Sequence, residues 1–361
     1  MGVYQSIFLN QVTFPAMVHT SVDLAKKRGH IGMANLVNAV LKRVPQTLDG
    51  LVFPDKEKEF VRHVGIRYSL PNWLVQRWQN ELGRDECESL ALALNCEAPI
   101  ALRVNRRLSN LKDVQNHLEK NGCAVEKRTV VPEELTVVSG DPLHTKGFER
   151  GWFTVQDPAS MLAAHLLEPM EPCRVLDLCA APGSKTTHLA ERAPDQVPIV
   201  ACDIHPGKAD LIRQAAERLQ LGNIHVFCGD GARPAVRGSF DRILVDAPCT
   251  GLGTLRRRPD LKWRVQPEDP MKLAELQIAL LRSAIQLCEN NGLIVYSVCT
   301  TTPEETDQVL QTVVSSEPVV PEDGPDWLHP WKTKTGTYRL SPHREPMDGF
   351  FLTRLRKSSS V

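Results

Sequence analysis

Two cysteines stand in contexts that suit chemistry better than packing: Cys249 in Asp246-Ala-Pro-Cys-Thr-Gly251 and Cys299 in Tyr296-Ser-Val-Cys-Thr300. Each lies just past a short apolar run with strand character, 243–245 and 293–297. Asp203 and Asp230 follow apolar runs in the same way, at 199–201 and 224–227. One aspartate or cysteine after a strand is ordinarily a turn former or a core filler. Here Asp203, Asp230, Asp246 and Cys299 all fall at strand ends, and strands alternating with helices make a parallel sheet. Ligands of such sheets bind outside the carboxyl ends of the strands, so the shared placement points to one site.

The stretch Val175 to Lys185, Val-Leu-Asp-Leu-Cys-Ala-Ala-Pro-Gly-Ser-Lys, supplies the other half of that site. Val175, Leu176 and Leu178 read as a buried strand leading through a small-residue turn to a helix start. Ala180, Ala181 and Gly183 have too little side chain to keep a ligand away from the backbone amides. Asp203 lies 20 residues beyond Gly183, where an acid suits a ribose diol. A full glycine fingerprint is missing and no arginine waits for a pyrophosphate. Adenosine joined to a group without phosphates fits better than a dinucleotide, and S-adenosylmethionine meets that description.

Two thiols and a carboxylate around one methyl-donor pocket match the needs of carbon 5 in a pyrimidine. That carbon is a poor nucleophile until a thiolate adds to carbon 6; the resulting enamine then attacks the methyl group, while a carboxylate handles the proton at ring nitrogen 3. A cysteine of ordinary pKa, about 8.5, is mostly protonated at neutral pH and needs help. Thr302-Pro-Glu-Glu305 has the pattern of a capping box with proline at the first helical position, which would put a helix N-terminus just after Cys299. Cys249, after Pro248, has no comparable source of help, so Cys299 is the expected nucleophile.

Helical spacing over 20–44, interrupted at 29–32, predicts a two-helix hairpin, whereas residues 1–15 show no period. Further helices are expected at 70–81, opened by Pro71, and at 86–95; Trp73 and Trp78 on the first are read as packing residues. A strand at 100–104, a helix at 108–121 and a β-rich stretch at 125–138 imply a small α/β module. Its Arg103, Asn105, Arg106 and Arg107 suit either phosphates or a solvated strand end. Residues 147–157 read as the connection into the last domain. A helix from 268 to about 289 and a closing antiparallel hairpin of 337–340 with 349–355 complete it. The expected division is therefore 1–48 helical, 49–148 helical linker plus small α/β module, and 149–361 a Rossmann-like domain with a mixed, mostly parallel sheet.

At 361 residues, 42% hydrophobic and 24% charged, the chain has the composition of an ordinary globular protein. Lys plus Arg equals Asp plus Glu at 43 each, so any RNA affinity must be local. The densest basic run near the site is Arg256, Arg257, Arg258, Lys262 and Arg264, which would hold RNA phosphates beside an unstacked cytosine or form a solvated loop. Ten cysteines without metal-ligand spacing call for no metal and suggest reduced thiols in a cytoplasmic setting. No bilayer-spanning run and no oligomerisation signal appear, so a monomer without membrane or inferable protein partners is expected.

Leu176 to Gly183, Asp246 to Gly251 with Arg258-Pro-Asp-Leu-Lys-Trp263, Tyr296 to Cys299, and Asp348-Gly-Phe-Phe351 together resemble the Sun/RsmB family of RNA 5-methylcytosine methyltransferases. Leu102-Arg-Val-Asn105 and Pro71-Asn-Trp-Leu74 extend the likeness upstream, to most of the chain from about residue 18. The resemblance implies a NusB-like helical domain, a small RNA-binding module and a methyltransferase domain acting on small-subunit ribosomal RNA. It assigns Cys179, Ala180, Ala181, Pro182, Gly183, Ser184, Lys185, Asp203, Asp230 and Asp246 to the S-adenosylmethionine site. Cys299 becomes the nucleophile and Cys249 the residue assisting product release. Ser184 stands where the family commonly has a second glycine, and Val298 where it has threonine. The NusB-like part reads as shortened, as if its first helices were missing. That leaves a noncatalytic RNA-binding or ribosome-assembly factor as the rival expectation.

Overall fold

The structure is a computed structural model that describes residues 2–8, 12–47, 50, 52–128, 130–170, 172–236 and 238–358. The chain forms two compact units, Met1–Arg67 and Tyr68–Val361. In the first, helices Phe14–Arg28 and Ile31–Thr47 form the expected hairpin, with Met17 and Val18 buried against Leu41. A helix at Gly2–Phe8 was not expected, because seven residues are too few to display a helical period.

The second unit opens with helices Asn72–Leu82 and Arg84–Ala93, joined at Gly83. Leu74, Val75 and Trp78 of the first are buried, so Trp78 packs and does not offer a stacking face. Next comes a four-stranded antiparallel sheet of β1 (Ile100–Val104), β2 (Ala124–Glu126), β3 (Glu134–Ser139) and β4 (Phe153–Val155), in the order β2-β3-β1-β4. Helix Leu111–Lys120 starts where Asn110 accepts the Asp113 amide at 3.0 Å, and it lays Val114 and Leu118 on this sheet. The segment read as a connection thus contributes β4 to the small sheet.

The large sheet holds β5 (Val175–Asp177), β6 (Ile199–Asp203), β7 (Ile224–Cys228), β8 (Phe240–Asp246), β9 (Cys288–Val298), β10 (Val319–Pro321), β11 (Tyr338–Leu340) and β12 (Phe350–Lys357). Its order is β10-β12-β9-β8-β5-β6-β7, with β11 also on β12. β7, β6, β5, β8 and β9 are parallel, and their carboxyl ends form one edge. β12 runs antiparallel to β9 and pairs with β11, Tyr338 opposite Leu352, which is the closing hairpin expected. β5, which ends in the fully buried Asp177, and the centre of β9 are buried on both faces, as central parallel strands require.

Arg103 ties the two sheets together. Its guanidinium is fully buried and donates to Glu191 at 2.9 and 2.7 Å, to the Ser184 carbonyl at 2.6 Å, to Thr187 at 3.0 Å and to Gln156. It is therefore neither a phosphate contact nor a solvated strand end. Asn105 is equally buried and donates to the Gly151 and Leu219 carbonyls, and Arg107 bonds the Ala190 carbonyl. Arg103 and Arg107 fasten β1 and the residues after it to helix Ser184–Arg192, which carries the loop after β5 at its N-terminus.

Candidate active site

Between β5 and helix Ser184–Arg192 the chain turns at Gly183, whose φ of 104° lies in the left-handed region. A Cβ there would sit 3.1 Å from Ile212 Cα, so both conformation and space require glycine. Ala180 donates its amide to the Cys202 carbonyl at 2.8 Å, and Ala181 donates to Asp203 Oδ2 at 3.2 Å. The other oxygen of Asp203 accepts the His205 amide at 2.9 Å. A carboxylate has about four acceptor positions, so Asp203 retains capacity for a diol. Asp230, after β7, is exposed and shapes its own turn by accepting the Ala232 amide. At the neighbouring Gly231 a Cβ would meet the Leu178 carbonyl oxygen at 2.7 Å, which brings the β7 turn close against the β5 loop. The edge thus gathers small-residue backbone and two carboxylates, a cradle that fits an adenosyl group. Cys179 packs into the core and burial pushes its thiol well up, so it lines the loop as an inert side chain.

At the other end of the edge, Asp246 closes β8 and Cys299 follows β9. Lys185 reaches across from the donor loop to Asp246 Oδ2 at 2.7 Å, while Ser297 donates to Oδ1 at 2.8 Å. Burial pulls the Lys185 ammonium down, but the charge and hydrogen bond of Asp246 outweigh it and leave the group above its ordinary value. The Cys249 and Cys299 sulfurs lie 3.3 Å apart. The bond from Cys249 holds the Cys299 thiol below its ordinary value against the penalty of burial, with Lys185 adding its charge. The same bond, together with burial, pushes Cys249 well up. Of the two thiols, Cys299 is thus the one whose ionisation is favoured, and the Cys249 thiol is the one disposed to donate to it.

The helix expected just after Cys299 is not the source of that effect. Pro303–Glu305 is a single 3-10 turn, Thr302 makes no cap bond to the backbone, and the α-helix begins only at Asp307. The Thr302 hydroxyl instead donates to the inward-turned Glu305 side chain at 2.8 Å. The pattern of a capping box was present, but buried donors from other segments captured its glutamate.

The basic run is also corrected. Arg257 bridges Asp157 at 2.8 Å and Asp348 at 2.9 Å, and donates to the Pro99 carbonyl at 2.9 Å. The side chain of Arg256 is 5% exposed and bonds the Met347 carbonyl beside Asp348. Lys262 is buried, which pulls its ammonium down. These three are committed mainly to internal contacts, whereas Arg258 and Arg264 are exposed. Arg256 and Arg257 pin the Asp348-Gly-Phe-Phe stretch against the site. Gly349 donates its amide to the Gly253 carbonyl at 2.8 Å, and Gly253 donates to the Cys299 carbonyl at 2.9 Å. A Cβ on Gly253 would overlap Gly349, so this approach requires glycine.

A cleft of about 400 Å³ opens beside Cys249, lined by Thr250, Leu261, Arg264, Val265 and Lys272 among others. Away from this edge, Glu133, His165 and His188 bring their ligand atoms within 4.8 Å of one another. One Glu133 oxygen accepts both imidazoles, at 2.8 and 2.6 Å. Burial pushes His188 down to about 3 and lowers His165, so both rings are neutral donors at neutral pH. The trio is a buried hydrogen-bonded tie between the β3 approach and two helices.

The chain resembles known proteins along its whole length. The family described as 16S rRNA methyltransferase RsmB/F matches residues 164–356, an RsmF/B-like ferredoxin-like domain matches 70–144, and the NusB family matches 1–46. The chain is 33% identical to the probable ribosomal RNA small subunit methyltransferase B of Bacillus subtilis (strain 168), an alignment covering 99% of this chain and 81% of that protein. The crystal structure of PH0851 superposes with a TM-score of 0.85 at 28% identity, covering 99% of this chain and 80% of that one. NSun6 from Pyrococcus horikoshii with SFG shares the fold at a TM-score of 0.74 and 22% identity, covering 80% of this chain and 99% of that one.

Proposed function

The chain belongs to the RsmB/F family of 16S rRNA methyltransferases, and on that premise we propose that it methylates carbon 5 of a cytosine in small-subunit ribosomal RNA through a covalent link to Cys299. Membership makes it an S-adenosylmethionine-dependent RNA methyltransferase. The observation that carries the finer reading is the pair of sulfurs 3.3 Å apart at the carboxyl edge, one thiol held down and the other pushed up. Among the described residues no helix is long and apolar enough to cross a membrane.

Residues 179–185 with Asp203 and Asp230 would hold S-adenosylmethionine, which would supply a methyl group to carbon 5 and leave as the neutral thioether S-adenosylhomocysteine. Cys299 gives its sulfur electron pair to carbon 6, and the ring double-bond pair becomes available at carbon 5. Asp246, fixed by Lys185 and Ser297, handles the proton at ring nitrogen 3. Once its sulfur is bonded to carbon, Cys299 no longer holds the Cys249 proton, which passes to solvent through the cleft. The Cys249 thiolate then takes the proton from carbon 5; the C–H pair restores the ring double bond and expels the Cys299 thiolate. Arg258, together with Arg264 and Lys272 on the cleft, takes over the phosphate contacts first expected of the whole basic run. The three-region division of the sequence stays part of this proposal, with the second region extended to include β4.

Bisulfite sequencing of small-subunit rRNA from cells with and without the gene tests the reaction. One cytosine should lose its protection on deletion and regain it on complementation. Methylation appearing on another base, with donor binding intact by calorimetry, would overturn the cytosine assignment.

A further inference from the structure

The loops that carry the two cysteines are joined by one side chain. Glu305 stands on the 3-10 turn after Cys299 and is fully buried. Its Oε1 accepts the Thr250 amide at 2.8 Å and the Gln277 side-chain amide at 3.1 Å. Its Oε2 accepts the hydroxyls of Thr250 at 2.6 Å and Thr302 at 2.8 Å. Four donors converge on two oxygens, and only a carboxylate offers that many acceptor positions. A glutamine there would turn its own N–H groups toward some of the same donors. The second N–H of Gln277 donates to the Pro248 carbonyl at 2.9 Å. Cys249 is thus bracketed, with Pro248 held by Gln277 before it and Thr250 held by Glu305 after it.

Cys299 is secured by other means. Its carbonyl is held by Gly253, and besides the bond from Cys249 the Lys185 charge helps hold its thiol down. Loosening Glu305 therefore frees the Cys249 loop while the Lys185–Asp246–Ser297 group stays in place. From this asymmetry we infer that Glu305, acting through Thr250 and Gln277, is a positioning residue for Cys249, whose displacement slows release of the product from the enzyme more than it slows attack on the base. The inference rests on the covalent reading above.

The test compares wild type, Cys249→Ala, Glu305→Gln and Thr250→Val on transcribed small-subunit rRNA with S-adenosylmethionine. Adduct is followed by denaturing electrophoresis, and donor affinity by calorimetry. Glu305→Gln should keep donor affinity within about twofold, because it leaves the donor loop untouched, yet lengthen the adduct lifetime about tenfold, the size expected for losing a charge-assisted bond. Thr250→Val, which removes only the hydroxyl arm, should lengthen it about threefold, and it decides the matter if Glu305→Gln does not fold. Turnover equal to wild type, or slower turnover without adduct, would overturn the positioning role. A structural defect alone would weaken donor binding and adduct formation together, which also overturns it. Absence of adduct from Cys249→Ala would instead sink the covalent reading, and the positioning role with it.

Discussion

At β5, β6 and β7 the carboxyl edge is made of backbone: small residues at 179–183, a left-handed Gly183, and two carboxylates whose oxygens mostly meet nearby amides. At β8 and β9 the same edge is made of side chains arriving from distant segments. Lys185 comes from the donor loop, Gln277 from a helix, Glu305 from a turn, and Arg257 from a loop that it ties to Asp157 and Asp348. A surface of backbone amides is encoded within a few consecutive residues and tolerates little change at each. A poised thiol pair is encoded across more than a hundred residues and can be retuned piece by piece.

That contrast can be broken most forcefully at the joint between the sheets. Arg103→Ala leaves Glu191 as an uncompensated buried charge and should cost about 3–5 kcal/mol of stability in denaturant unfolding. A loss under 1 kcal/mol would show that the clamp contributes little. On the backbone half, Gly183→Ala forces a side chain into the left-handed region against Ile212. It should weaken donor binding by about tenfold, the equivalent of 1–2 kcal/mol of strain, with cysteine reactivity unchanged. On the side-chain half, Lys185→Gln removes the positive charge that helps hold the Cys299 thiol below its ordinary value. Activity needs the thiolate and is lost as pH falls through the thiol pKa, so a raised pKa should move the acid limb of the pH–rate profile upward by about one unit. An unmoved limb would remove Lys185 from the account of the thiolate. The smallest effect lies at the RNA contacts. Arg258→Ala and Arg264→Ala should each lower the salt slope of RNA binding by about one, and equal slopes across the variants would locate the phosphates elsewhere.

The sequence displayed the backbone half almost completely. Apolar runs ending at Asp203 and Asp230 marked its strand ends, as those at Asp246 and Cys299 did for the other half, and the small residues of 180–183 announced the turn, because both signals are local. The closing hairpin was legible for the same reason. Arg103 was not: an arginine inside an apolar strand looks like a charge at a strand end, and Glu191 lies 88 residues away. Arg256, Arg257 and Lys262 looked like an RNA patch, since nothing nearby in the chain reveals that Asp157 and Asp348 claim Arg257. Glu305 was misread for the opposite reason, its local pattern matching a helix cap while Thr250 and Gln277 drew it inward.

The central claim is that Cys299 attacks the base and Cys249 releases it. Mass spectrometry of denatured mixtures of enzyme, transcribed rRNA and S-adenosylmethionine tests it directly. Cys249→Ala should accumulate an enzyme–RNA adduct carrying one added methyl group, and Cys299→Ala should give neither adduct nor product while still binding the donor. An adduct in Cys299→Ala with none in Cys249→Ala would exchange the two roles; full methylation by Cys299→Ala would contradict covalent catalysis altogether.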